Sequence, residues 1–178
     1  KIQLLTSFCL LGGLLFAQQN QLSEFVQTKP ADNFNIYVSD NPLSAEGLIK
    51  FYKKDLGLSD KDDLVLIRTE EDKTGVKHYR YQQTYAGTKV FGAQYLVHEK
   101  NGSVISSNGN LVEFVMNNNN PLISNKAAID KAIKHVGANS YMWEIDGEEA
   151  LFKKIKKDAN ATYFPTAELV YYRGYKLL

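Results

Sequence analysis

Cysteine is nearly absent from this 178-residue chain: Cys9 stands alone. A single thiol makes no internal disulfide, and everything after Cys9 must hold together by packing. A dominant charge is missing too. There are 21 Lys and Arg against 20 Asp and Glu, and Lys1 is the only charged residue among the first seventeen, so the body of the chain is neutral. A neutral body lacks the basic footprint of a nucleic-acid binder, which excludes nucleic acid as a partner. Nor is there an apolar run long enough for a comfortable membrane span: residues 2–16 are uncharged and apolar, then give way to small and amide residues. With Lys1 ahead of it, that run has the layout of a secretory signal peptide, expected over residues 1–18. Leu15 and Ala17 stand at the positions a signal peptidase inspects, which puts cleavage after Ala17 or Gln18. Phe8 is too large to precede a lipid-modified cysteine at Cys9, so the expected product is secreted with no stable membrane anchor. The chain opens on Lys without an initiator Met, so at least one preceding residue is expected.

Catalytic signatures are lacking as well. Serine has no GxSxG setting, and no glycine-rich phosphate loop follows a strand. The histidines, His78, His98 and His135, show no HExxH spacing, the pattern in which two His one helical turn apart share zinc and the Glu activates water. His78 and His98 fall on different expected strands, and His135 near a helix end where a cation suits the dipole, so structural or surface roles are expected. The acidic groups at Asp60, Asp62 and Asp63, at Glu70, Glu71 and Asp72, and at Glu148 and Glu149 fall in expected loops or turns, without the apolar burial that tunes a general acid. The lysine-rich residues 153–157 read as a solvated helix or strand edge. No catalytic residue, metal ligand or cofactor is therefore expected in these residues.

What is present is an α+β pattern. Leu48, Ile49, Tyr52 and Leu56 recur at three- and four-residue steps, predicting an amphipathic helix over residues 44–56 stopped by Gly57. An extended stretch around residues 34–38 precedes it, and strands are expected at 64–69, 76–85, 93–100, 103–108 and 111–116. Asn101-Gly102 is a strong hairpin signal, because both central positions of that turn require positive φ. Ala86-Gly87, with Gly92, suggests a looser connection. Alternation puts His78, Arg80 and Gln82 on one face of their strand, and Tyr79, Tyr81, Gln83 and Tyr85 on the other. The tyrosine side is expected to meet the helix. The asparagine-rich residues 117–123 read as a linker. A second helix with Ala128, Ile129, Ala132, Ile133 and Val136 on one side ends at Gly137, and residues 141–145, 151–155 and 167–172 read as short strands or turns. The last residues look like a hairpin caught partway. The expected architecture is two small cystatin-like units, each a helix on an antiparallel sheet, the second incomplete.

One pattern is more specific. His78, Arg80, Gln83, Tyr85, Gly87, Val90, Phe91, Gly92 and His98, followed after a turn by Ser106, Ser107, Gly109 and Leu111, resemble the fungalysin/thermolysin propeptide domain. Ala127, Ala128, Ile129 and Ala132, with the later Ala167-Glu168-Leu169-Val170, are similar to the PepSY domain that commonly follows it. The resemblance implies a signal peptide at 1–18, an N-terminal segment at 19–43, a propeptide domain at 44–116, the linker at 117–123 and a truncated PepSY-like domain at 124–178. It implies a pro-region acting in cis as folding assistant and inhibitor of a secreted zinc metalloendopeptidase until autoproteolysis removes it. The partner is then the cognate catalytic domain. Zinc, with calcium as a further candidate, belongs to that domain beyond Leu178, and no cofactor belongs to this chain. The alternative from another class is a free-standing secreted binding or inhibitor module acting in trans. The motif residues Arg80, Gln83 and Tyr85 are expected to serve either the fold or the protease contact.

Overall fold

A computed structural model describes residues 21–113 and 120–172. The signal segment with Cys9, Ala17 and Gln18, part of the linker, the later half of the strand expected at 111–116 and the second strand of the expected final hairpin lie outside the described residues. The described residues form seven strands and three α-helices: β1 (Val26–Ala31), β2 (Phe34–Tyr37), α1 (Ala45–Phe51), β3 (Asp62–Glu71), β4 (Val76–Tyr85), β5 (Thr88–Lys100), β6 (Ser103–Gly109), α2 (Asn125–Val136), α3 (Glu148–Lys156) and β7 (Val170–Tyr171). The expected α+β class is what forms. All strands join one sheet in the order β1-β2-β6-β5-β4-β3, and β7 lies parallel to β5.

Turn chemistry sets the meander β3 to β6. Asn101 and Gly102 have φ of 53° and 83°, as the two-residue hairpin between β5 and β6 demands. The Ala86-Gly87 connection is a correction, because it is a second tight two-residue turn, with φ of 47° and 78°. Gly92 belongs to β5 itself. Between β3 and β4, Oδ1 of Asp72 accepts from the Thr74 N–H, the Thr74 hydroxyl and the Val76 N–H at 2.7, 2.7 and 3.1 Å. These bonds hold the Asp72 carboxyl well below the usual carboxylate range, the Thr74 hydroxyl contributing most.

Helix α1 begins where its sequence says, with the Ser44 hydroxyl accepting from the Gly47 N–H at 3.0 Å. The buried Glu99 of β5 adds a carboxylate oxygen 2.8 Å from the Ala45 N–H, tying the helix start to the sheet. Helical structure stops at Phe51 rather than Leu56, because Tyr52 leaves the helix to bury its ring edge-on against Phe25, centroids 6.1 Å apart. The core lies between α1 and the sheet, with Leu48, Leu58, Tyr81, Tyr95, Val97 and Val104 at its centre. The tyrosine side of β4 does meet the helix, as alternation predicts.

The second half departs from expectation. Helix α2 contains the expected apolar residues and ends at Gly137 as expected, with the Ser124 hydroxyl accepting from the Ala127 N–H at 3.2 Å and Gly137 in the left-handed region at φ 58°. Residues 151–155, expected as a strand or turn, lie in α3, and Met142–Glu144 form a 3-10 turn. The charge layout explains α3: Glu148 and Glu149 stand in its first turn and Lys153, Lys154 and Lys156 in its last, each complementing the helix dipole. No sheet separate from the first forms among the described residues, and the one strand of this half, β7, joins β5 of the first sheet. Neither α2 nor α3 contains a buried residue.

Candidate functional site

The two faces of the β4–β5 ladder carry different chemistry. Facing α1, the hydroxyls of Tyr37 and Tyr95 meet the buried Ser107 Oγ at 2.8 and 2.6 Å. Burial pushes both phenols up, and at Tyr37 the neighbouring Tyr95 adds to the shift. Burial, with Tyr79 beside it, pushes the Tyr81 phenol up to about 12.

Near the end of β4 the paired glutamines are structural. Gln82 pairs with Gln94 and Thr84 with Lys89, so residues 90–93 bulge opposite Gln83 alone. The bulge removes ladder partners from its carbonyls. The Gln82 amide supplies them, its Nε2 lying 2.9, 2.7 and 2.8 Å from the carbonyls of Gln83, Val90 and Ala93. Gln83, fully buried, reaches out of the sheet instead. Its Nε2 donates to Asp62 Oδ1 at 2.7 Å and to the Val112 carbonyl at 2.8 Å, while its Oε1 accepts from the Val112 N–H at 2.9 Å. It pins the residue after the sheet as another strand would. Tyr85, Val90, Ala93 and Val112 form a second buried cluster, against which Tyr171 packs.

The motif residues thus divide by task. Gln83, Tyr85 and Val90 are buried, and Gly87 and Gly92 hold left-handed conformations at φ 78° and 76°. Gly109 lies so close to β5 that a Cβ there would collide with the Gln94 carbonyl and stand 2.7 Å from Tyr95 Cα. Phe91 projects from the bulge, 58% exposed, with its ring 5.8 Å from that of the exposed Tyr172. Arg80 lies on the face away from α1, donating to Gln94 Oε1 at 2.9 Å. On the same face His78 and His98 are direct cross-strand partners, although their sequence separation suggested independence.

Two further surfaces are open. Strand β3 is the end of the sheet, and Val65, Leu66 and Ile67 are each about half exposed along it. Between β3, β4 and α1 runs a groove of about 690 Å³, with Glu46, Ile49, Lys50, Leu66 and Tyr79 among its walls. Apolar side chains rimmed by charges suit contact with protein.

Asp62, Gln82, Glu99 and Val112 carry structure that the sequence pattern did not single out. The adjacent amides of Gln82 and Gln83 in an otherwise aromatic strand were the available signal; for Glu99 there was none. Among the described residues no three His, Cys, Asp or Glu side chains converge as a metal cluster, and no helix is long and apolar enough to cross a membrane. The motif residues thus build and decorate a sheet, and the stretch that contains them, residues 62–111, matches the family model of the Fungalysin/Thermolysin Propeptide Motif, a non-catalytic segment of protease precursors.

Proposed function

We propose that this chain is the pro-region of a secreted zinc metalloendopeptidase of the thermolysin type, acting in cis to assist folding of the catalytic domain and to block it until autoproteolysis. The observation that carries the reading is the propeptide-motif match over residues 62–111, which coincides with the meander β3 to β6. The exposed Phe91 and Tyr172, the apolar edge of β3 and the groove beside α1 support it as surfaces for a protein partner. In this reading residues 1–18 are the signal peptide, 19–43 an N-terminal segment, 44–116 the propeptide domain and 117–123 a linker. Residues 124–178 are PepSY-like, and the absence of buried residues from α2 and α3 supports apolar faces that further protein covers.

The physical logic is that a secreted protease gains from a high unfolding barrier, which slows self-digestion but slows folding as well. A template that binds the folding transition state relieves the second effect. Attachment through a short linker gives an effective concentration of about millimolar, so inhibition needs no tight intrinsic affinity. Zinc, with calcium as a further candidate, belongs to the catalytic domain.

The test is to read the coding sequence past Leu178 and then refold the encoded catalytic domain with and without this chain. An HExxH motif, faster recovery of activity and slow, saturable inhibition are expected. An open frame of several hundred residues without HExxH, or refolding and activity indifferent to the chain, refutes the proposal. A stop codon soon after Leu178, with inhibition of foreign metalloproteases, turns the assignment to an inhibitor acting in trans.

A further inference from the structure

We infer that His78 and His98 form a two-imidazole site for a divalent transition-metal ion of the copper(II) class, on the sheet face away from α1. The inference is independent of the proposed protease partner.

The two residues are register partners on β4 and β5, so the ladder fixes their Cβ atoms side by side. Their rings meet edge to face, centroids 4.9 Å apart, with Nδ1 of one 2.6 Å from Nδ1 of the other. Each far nitrogen faces an oxygen. His78 Nε2 lies 3.2 Å from Asp72 Oδ2, and His98 Nε2 lies 3.1 Å from Asn108 Oδ1. Both oxygens are acceptors, so each Nε2 carries its hydrogen. A neutral imidazole with hydrogen on Nε2 presents a lone pair at Nδ1. Two lone pairs therefore converge at 2.6 Å, an arrangement that is repulsive unless a cation lies between them. A proton is one such cation and a metal ion is the other.

The surroundings favour more than a shared proton. A metal-bound histidine characteristically donates its other N–H to a carboxylate or amide oxygen, which fixes the tautomer and aims the ring. Asp72 is itself immobilised for that task, because the Thr74 and Val76 donors hold Oδ1 and leave Oδ2 for His78. Glu70, the partner of His78 on β3, adds negative charge one strand away, where it is bonded to Arg68. The nearby Arg80 guanidinium is engaged by Gln94.

Geometry selects the metal class. With metal–nitrogen bonds of about 2.0–2.1 Å, cis ligands at a right angle stand about 2.9 Å apart and tetrahedral ligands about 3.3 Å. The pair therefore opens by about 0.3 Å for a tetragonal ion and about 0.7 Å for tetrahedral zinc. Copper(II) has the tetragonal preference and also stands highest in the affinity order for imidazole sites. With only two protein ligands, water fills the remaining positions.

The test uses the full chain, freed of metal, in a non-coordinating buffer at neutral pH, titrated with copper(II), nickel(II) or zinc by calorimetry. Paramagnetic resonance of the copper form reads the ligands. One equivalent of copper is expected, with hyperfine coupling from two imidazole nitrogens and binding tighter than zinc. His78→Gln and His98→Gln each weaken binding at least tenfold, Asp72→Asn weakens it about tenfold by loosening the ring, and His135→Gln leaves it unchanged. Far-ultraviolet dichroism confirms that the variants fold, and a melting temperature raised by copper in the parent chain but not in His98→Gln gives a second readout. No saturable copper binding up to millimolar concentration, or binding unaffected by His78→Gln and His98→Gln, overturns the inference and leaves the pair sharing a proton only.

Discussion

Replacing Gln83 by methionine removes an amide from the interior while nearly conserving volume, and so isolates its hydrogen bonds. A volume-conserving swap of an apolar residue costs less than about 1.5 kcal/mol, but here three bonds of 2.7–2.9 Å disappear. The Val112 N–H, the Val112 carbonyl and one Asp62 oxygen lose their partner at a fully buried site. Each buried group left unpaired costs about 1–3 kcal/mol. Asp62 keeps its bonds from Ser59 through the other oxygen, so we weight the two Val112 groups and expect about 4 kcal/mol in total. That is a large share of the roughly 5–15 kcal/mol by which domains are stable. With a urea slope of about 2 kcal/mol/M, the unfolding midpoint falls by about 2 M. Equilibrium urea unfolding followed by far-ultraviolet dichroism measures it. Gln83→Glu sharpens the test: it keeps an acceptor for the Val112 N–H but turns a second oxygen toward Asp62 and the Val112 carbonyl. Its deficit relative to the parent chain should shrink on acidification, when the protonated carboxyl can donate again. A methionine variant within about 0.5 M of the parent midpoint, less than about 1 kcal/mol at that slope, would refute the assignment of Gln83 as the clasp between sheet and following segment.

Gly109→Ala drives a methyl into the β5 backbone and is expected to cost about 1–3 kcal/mol in urea unfolding; a neutral result would disprove the close approach. Phe91→Ala, at an exposed position, should change stability by no more than about 0.5 kcal/mol, yet weaken inhibition of the matching catalytic domain; unchanged inhibition removes Phe91 from the contact. The raised Tyr37, Tyr81 and Tyr95 phenols give an alkaline signature. The unfolded chain releases these protons near pH 10 and the folded chain holds them longer, so their stability is full below pH 10 and lost as pH rises toward about 12. Tyrosinate absorbance should lag in the folded state, and Tyr81→Phe should flatten the loss. Coincident titration of folded and unfolded chains would contradict this.

Much of the first half was legible because its signals are local. Asn101-Gly102 fixes a hairpin by the φ values its residues accept, three- and four-residue spacing of apolar residues marked the helix after residue 44, and two-residue alternation assigned the tyrosines of β4 to the helix side. The sites of error have a common physical origin. Helix α1 ends early because Tyr52 finds a half-buried partner, Phe25, which is 27 positions away in the chain. The parallel strand β7 exists by pairing with the distant strand β5, a preference that no local window contains. Residues 151–155 alternate too briefly to separate strand from helix, and the charges at the two ends of α3 decided the outcome.

The sequence by itself determined the α+β class, the meander and the absence of a catalytic signature, since composition, turn residues and periodicity act within a few residues. Tertiary structure alone decided what the polar motif residues do. It placed Gln83 inside and Phe91 outside, gave Gln82 the carbonyls of the bulge, and brought His78 and His98 to 2.6 Å across two strands. Burial, bulge position and cross-strand register depend on the pairing of the whole sheet, and side chains of the same type in the same strand acquire different chemistry from it.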